Sequence, residues 1–341
     1  MEKSFPQWGK NSTDFSTAWK TPLAAYFLVG PTASGKSAVA HCLAQESRPP
    51  APLISADSMA IYRGMDVGTA KPEAADRAAG PYFGLDLVNP DQPFSVGDYL
   101  SAIHASTPEI VAAGGVPIVV GGTGLYVKAL LEGLDPPASH PAHRAAAEAI
   151  LAAEGLPALQ AAARALNPAE FAKLRDPENP RRVIRAYELL AAGHPPPPPA
   201  STGPSPRPRS KLAGLLLPAE ELRACIARRA RQMFAHGLVE EVRELRARFP
   251  ELSPTARHAI GYAEAADVLA GLISEEEAIR RTTLRTTQYA KRQMTWFRRQ
   301  ADVAWIPVGP RDDTARLAGK VRAIWATHGP APLRPHRAKT N

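Results

Sequence analysis

Residues Gly30-Pro31-Thr32-Ala33-Ser34-Gly35-Lys36-Ser37 follow directly on the apolar run Ala24 to Val29 and lead into a stretch of helical composition from Ala38. A short apolar run rich in branched residues predicts a buried strand. The eight residues after it fit G-x-x-x-x-G-K-[ST], a pattern that turns a strand into a helix around a phosphate. The glycines let backbone amides approach phosphate oxygens, and the helix N-terminus adds a partial positive charge. Lys36 supplies a point charge, and the Ser37 hydroxyl is placed to reach Mg²⁺. A diphosphate or triphosphate site is expected over Gly30 to Ser37. The pattern leaves open whether the phosphate belongs to ATP or to another donor.

Five more runs read as buried strands: Leu53 to Ala56, Phe83 to Val88, Pro117 to Val120, Leu212 to Leu217 and Val303 to Val308. Helical stretches separate most of them. The expected fold is α/β, a P-loop NTPase-like parallel sheet flanked by helices, with functional residues just after the strands. From 135 to 193 no strand signal appears, and alanine-rich stretches such as Ala142 to Glu154 and Pro157 to Leu166 predict a helical insertion. It divides a core made of 23–134 and 210–328, and a proline-rich linker is expected at 194–209. Residues 1–22 and 329–341 are expected to be disordered.

The chain of 341 residues is large enough for a full core, and a formal charge of +8 favours a polyanionic partner. Cys42 and Cys225 are far apart, with no metal-ligand spacing around them, so neither a disulfide framework nor a zinc module is supported. No run approaches the length of a bilayer span, so a cytoplasmic protein with no membrane partner is expected. A monomer is the expected state, which the sequence itself does not decide.

The second strand ends in Asp57-Ser58-Met59-Ala60, and the segment runs on through Arg63 and Lys71. A carboxylate there, beside a phosphate cradle, suits proton abstraction or water-mediated Mg²⁺ binding. For Arg63 and Lys71 the alternative reading is a solvated surface charge. The fourth strand ends in Gly121-Gly122-Thr123-Gly124-Leu125-Tyr126, where a nucleotide hydrolase more often places a metal-binding aspartate. The Thr123 hydroxyl both donates and accepts, so it suits positioning a substrate amine against Asp57.

From Arg280 to Arg299 there are seven Arg or Lys and no Asp or Glu. At helical spacing, Arg281, Arg285, Arg292 and Arg299 fall in a stripe roughly 40° wide, opposite Ile279, Ala290, Met294 and Phe297. A single-sign face of this kind points to a phosphate backbone. Arg181, Arg182 and Arg185 form a second basic cluster.

The ordered motifs GPTASGKS, DSMAIYRGMDVGTAKP and GGTGLY resemble the signatures of the tRNA dimethylallyltransferase family. The later segments Arg181 to Arg185, His258 to Tyr262 and Thr287 to Gln293, followed by Trp296-Phe297, resemble that family's tRNA-contacting segments, so the likeness runs from about Leu23 to Val308. The resemblance implies transfer of a dimethylallyl group from dimethylallyl diphosphate to N6 of the adenosine 3′-adjacent to the anticodon, position 37, in tRNAs reading codons that begin with U. It implies Mg²⁺ as cofactor, the tRNA anticodon stem-loop as partner, and no consumption of ATP. Asp57 would be the base, Thr123 would orient the amine, and Lys36 would neutralise the leaving diphosphate. Asp57, Ser58, Met59, Ala60, Thr123, Arg144, Arg181, Arg182, Arg185, His258, Gly261, Tyr262, Arg281, Arg285, Lys291 and Arg292 are the implied tRNA contacts.

Some positions depart from the family's usual form. Ala60 stands where Gln is common, and Cys225 stands where an arginine for the diphosphate is expected, with Arg223 and Arg229 as alternative sources of that charge. An adenylate prenyltransferase, a small-molecule P-loop kinase and a non-catalytic RNA-binding protein are the competing readings.

Overall fold

The computed structural model describes residues 23–133, 140–196 and 211–334. The strands are β1 (Ala24–Val29), β2 (Leu53–Ser55), β3 (Tyr82–Phe83), β4 (Ile118–Gly121), β5 (Leu212–Leu216), β6 (Val303–Pro307) and β7 (Ala331–Pro332). They form one sheet in the order β3-β2-β4-β1-β5-β6, all parallel along that path, with β7 antiparallel to β1. The first helices are α1 (Lys36–Glu46), α2 (Ala74–Ala78), α3 (Val96–Ala105), α4 (Thr107–Ala113) and α5 (Gly124–Glu132). Then come α6 (Pro141–Leu166), α7 (Pro168–Phe171) and α8 (Pro180–Ala191). The chain continues through α9 (Ala219–Ala235), α10 (Leu238–Arg248), α11 (Pro254–Arg257), α12 (Tyr262–Leu269), α13 (Glu275–Gln300) and α14 (Thr314–His328).

Alternation along the strands loads both faces of the sheet. Phe27, Val29, Ile54 and Val119 enter one layer with Tyr99, Ile103, Tyr126 and Phe297, whereas Leu28, Leu53, Ile118 and Val120 enter the other with Val39, Leu43, Val321 and Trp325. Parallel strands covered on both sides leave their carboxyl ends as the open edge where Gly30, Asp57 and Gly122 emerge.

Contacts divide the chain into two compact units, Met1–Leu134 with Ser210–Asn341, and Asp135–Arg209. The second has its own small core of Ala147, Leu159, Ala163, Phe171, Val183 and Ile184. Its long helix α6 breaks at Gly155, whose φ of 83° no helical residue adopts, two residues before Pro157. This matches the two separate helices read from the sequence. No helix among the described residues is long and apolar enough to cross a membrane.

Three expectations differ from the structure. The run Phe83 to Val88 contributes only Phe83 to a strand, because Gly84 (φ 79°) and Asp86 (φ 53°) turn the chain away; Val88 then bridges to Tyr62. The tail is ordered as far as 334: Leu333 is buried and its N–H bonds Leu23 O at 2.7 Å. That strand is too short and proline-flanked to signal itself. Lys71 is not a surface charge. It is buried and donates to Tyr62 O (2.5 Å), Asp66 Oδ1 (2.6 Å) and Asp86 Oδ1 (2.6 Å), so it knits the segment after Asp57 together. The expectations for 1–22, 335–341 and most of the proline-rich linker, 197–209, lie outside the described residues.

Candidate active site

The strand β1 ends at Val29, and the chain wraps through Ala33 (φ 62°) and Gly35 (φ 83°) before α1 begins at Lys36. Left-handed residues in such a turn aim successive amides inward, and the amides of the first helical turn have no intrahelical acceptor. Gly30 is confined as well, since a Cβ there would lie 3.1 Å from Leu215 O. The Ser34 hydroxyl is buried with no partner among the described residues, and Ser37 is exposed at the helix start. Lys36 is buried and its Nζ reaches Pro31 O at 3.1 Å. Burial pulls its pKa down to about 8, with Asp57 pushing it up and Arg229 pushing it down further.

Asp57 stands two residues after β2, and its Oδ1 accepts the Met59 N–H at 2.8 Å. Thr123, one strand over, accepts the Ser58 N–H on Oγ1 at 3.0 Å, and its own N–H bonds Ala56 O at 3.1 Å. Asp57, Ser58 and Thr123 are therefore brought together as a unit. Ala60 is buried, so it presents little to a partner.

The three glycines around Thr123 are steric requirements. A Cβ on Gly121 would lie 2.2 Å from the backbone oxygen of Ala56, one on Gly122 would lie 2.2 Å from Gln293 Nε2, and one on Gly124 would lie 2.2 Å from the Trp296 ring. The backbone oxygen at Gly121 cannot rotate away. Gly121→Ala should therefore cost about 3 kcal/mol or more of stability, read from a shift in the urea midpoint. An unchanged midpoint would show that the β2–β4 contact gives way easily.

Three side chains that local patterns did not single out complete the site. Gln293 of α13 is buried, accepts the Thr32 N–H at 2.8 Å and donates to Gly122 O at 3.0 Å. Tyr289, one turn earlier, lies near Thr123 and Gln293; burial, with Asp57 nearby, raises its pKa to about 12, so its phenol stays protonated. Glu241 of α10 accepts the N–H groups of Asp66 (2.9 Å), Val67 (2.7 Å) and Gly68 (3.3 Å).

The two candidate arginines separate. Arg223 is exposed, near Glu220. Arg229 donates to Thr69 O at 3.1 Å; burial lowers its pKa against the opposing pull of Asp57, and its charge is felt at Lys36. Lys36, Asp57 and Arg229 thus form one electrostatic cluster.

Tyr262 is buried and donates to Glu241 Oε1 at 2.6 Å, which raises its pKa well above the usual phenol value, with desolvation as the larger cause. Gly261 is buried too (φ 93°), and its N–H bonds Glu264 Oε2 at 2.8 Å. This places both inside the fold, leaving His258 as the exposed member of its segment.

The basic helix is α13. Ala290, Met294 and Phe297 pack inward as the periodicity predicts. The stripe is not free of acids, however: Arg281 pairs with Glu277 just before the counted run, and Arg285 pairs with buried Glu264 from α12. Arg292 and Arg299 are exposed with no carboxylate in ion-pair range among the described residues, and Arg292 lies 5.8 Å above the Tyr289 ring. Lys291 points elsewhere, into an open groove of about 660 Å³ that runs from Pro31 past Leu222, Arg223 and Ile226 to Arg298.

In the helical unit, Arg144 and Arg185 face the fully buried carboxylate of Glu188, at 3.8 and 2.6 Å. Arg181 and Arg182 are exposed at the start of α8.

A phosphate cradle after β1 and a proton acceptor after β2, with Thr123 after β4 between them, fit a group transfer. The comparisons agree with that chemistry. The family profile described as IPP transferase matches residues 60–300. The tRNA dimethylallyltransferase of Anaeromyxobacter dehalogenans (strain 2CP-C) is 46% identical over 297 residues, covering 86% of this chain and 97% of that protein. The tRNA dimethylallyltransferase of Kineococcus radiotolerans is 40% identical over 305 residues, 88% of this chain and 95% of that one. Among solved structures, the tRNA isopentenylpyrophosphate transferase of Bacillus halodurans aligns with a TM-score of 0.61 and 32% identity, covering 89% of this chain and 97% of that chain. A eukaryotic dimethylallyltransferase acting on tRNA shares the fold at a TM-score of 0.67 and 20% identity. The cradle, the carboxylate beside it and this extent of likeness together establish that the chain belongs to the IPP transferase family.

Proposed function

We propose that the protein is a tRNA dimethylallyltransferase that moves a dimethylallyl group from dimethylallyl diphosphate to N6 of the adenosine 3′-adjacent to the anticodon. The observation that carries this reading is the cluster of Lys36, Arg229 and Asp57 beside Thr123, which joins a diphosphate site to a proton acceptor.

The cradle amides and Lys36 hold the diphosphate, with Arg229 supplying the charge that the family's pattern would take from the position of Cys225. As the bond between the allylic carbon and the diphosphate oxygen breaks, negative charge grows on the leaving group and these donors stabilise it. The N6 nitrogen forms the new bond to carbon, and its proton passes to Asp57 Oδ2, the oxygen not engaged with Met59. Thr123, backed by the protonated Tyr289, orients the amine. The exposed Ser37 hydroxyl at the mouth of the cradle is an oxygen donor that fits Mg²⁺, which typically keeps water and substrate phosphates as its other ligands, and Ser37 would hold it. When bound, the ion supplies further charge neutralisation to the diphosphate.

On the RNA side, Arg292 and Arg281 on α13, Lys291, His258, and Arg144, Arg181, Arg182 and Arg185 of the helical unit are the proposed contacts. Ser58 and Met59 would meet the extruded base; Arg285, Gly261 and Tyr262 act by ordering the segment around His258. A single-stranded loop lowers the cost of extruding a base, which favours an anticodon loop over a duplex. Replacing Arg281 and Arg292 together by alanine should weaken RNA binding and flatten the salt dependence of log K by roughly 1, little more than one phosphate contact's worth. Most of the loss should come from Arg292, because Arg281 already has Glu277. A filter-binding titration at several salt concentrations checks this, and an unchanged slope would return the stripe to ordinary surface.

Incubation with labelled dimethylallyl diphosphate and either an anticodon stem-loop or AMP tests the acceptor: label on the RNA alone supports the proposal, whereas label on AMP would make the protein an adenylate prenyltransferase.

A further inference from the structure

The donor cradle and the acceptor turn emerge from adjacent strands, β1 and β4, and one side chain spans them. Gln293 takes the Thr32 N–H on Oε1 at 2.8 Å and gives its Nε2–H to Gly122 O at 3.0 Å. It is buried at 6% exposure, and Gly122 has no room for a Cβ beside it. The Tyr289 hydroxyl lies near this carboxamide and near Thr123. Both polar atoms of the amide are thus committed to holding one of the two loops, while the preceding residue, Arg292, is exposed.

We infer that Gln293 is a positioning residue that fixes the distance between the bound diphosphate and the Thr123–Asp57 pair. The inference rests on the prenyl-transfer reading above. Each loop has its own anchors, Lys36 to Pro31 O for the cradle and Thr123 N to Ala56 O for the turn, so loss of Gln293 leaves both loops intact and lets them drift relative to each other. A displacement of about 1 Å between reacting groups costs on the order of a hundredfold in rate, with little effect on the binding of either reactant alone. The amide is suited to this task because it donates and accepts at once, which a carboxylate cannot.

The test uses Gln293→Met, which keeps the volume and removes both bonds, and Gln293→Glu. In the full-length enzyme, Gln293→Met should lower kcat with RNA and dimethylallyl diphosphate by roughly 30–100-fold, while the Kd values for inorganic pyrophosphate and for the anticodon stem-loop change less than about threefold and the thermal midpoint shows a folded protein. Gln293→Glu should lose activity at alkaline pH and recover as pH falls, because a protonated carboxyl again accepts from Thr32 and donates to Gly122. Its activity relative to wild type should rise at least about fivefold from pH 8.5 to 6. An unchanged kcat, a kcat loss matched by loss of pyrophosphate affinity, or a flat Gln293→Glu profile would each overturn the inference. Absence of prenyl transfer by the wild-type enzyme would instead overturn the underlying reading.

Discussion

Asp57→Ala should lower the single-turnover rate of prenyl transfer by about two to four orders of magnitude, while anticodon stem-loop affinity changes little. The size follows from what the carboxylate does: the exocyclic amine is a weak nucleophile until its proton has somewhere to go, and among the described residues Asp57 is the carboxylate that acts on Lys36 beside Thr123. Because Oδ1 also anchors the Met59 N–H, alanine removes a local bond together with the base. Asp57→Asn separates the two, since its amide oxygen can keep the Met59 contact but cannot accept the proton. The asparagine variant should therefore be as slow as alanine. If it turns over at near wild-type rate, Asp57 is a loop anchor and the base lies elsewhere.

Lys36→Met should reduce kcat/KM for dimethylallyl diphosphate by about two to three orders of magnitude, the range for removing one preorganised donor from a group on which charge develops. The pH dependence gives a sharper signature. Burial holds the folded-state pKa of Lys36 at about 8, below the usual lysine value of 10.5, so the ligand-free protein bears the cost of a charged, desolvated amine at pH below about 8. That cost is relieved as pH rises from about 8 to 10.5, and over this window the empty protein should gain stability from Lys36. Diphosphate binding moves the other way. Above pH 8 the neutral amine must take up a proton when the anion binds, so log Kd for pyrophosphate should climb with a slope approaching about 1 per pH unit. In Lys36→Met that increment disappears. A wild-type profile that stays flat between pH 7.5 and 9.5 would remove Lys36 from the diphosphate site.

Contiguity decided what could be read from the sequence. The cradle needs eight consecutive residues between a strand and a helix, and Asp57 and Thr123 each stand two residues after a strand, so pattern alone pointed to them. The partners that hold these residues come from far along the chain. Glu241 reaches back to Asp66, Val67 and Gly68, Arg229 reaches Thr69, and Gln293 reaches Thr32. A clue did exist for Gln293, an amide at the margin of an otherwise apolar helix face beside Ala290, Met294 and Phe297. Buried polar groups require partners, and that one pointed to a network. The basic stripe shows the opposite failure. Counting charges along one helix could not reveal that Glu264 from another helix had already claimed Arg285. Tyr262 likewise sits in a motif that looks like a contact segment, yet its hydroxyl serves Glu241 inside the fold. The short strand β7 and the buried Lys71 were hidden for the same reason, since their environment is made by residues distant in sequence.

The most direct test follows both products of one reaction. Purified protein, Mg²⁺, dimethylallyl diphosphate and an anticodon stem-loop with adenosine 3′ to the anticodon should give N6-isopentenyladenosine and diphosphate in equal amounts by nucleoside mass spectrometry and phosphate assay, with no nucleotide hydrolysed. ATP turnover on a small metabolite, with the RNA left unmodified, would mean that the cradle serves a kinase instead.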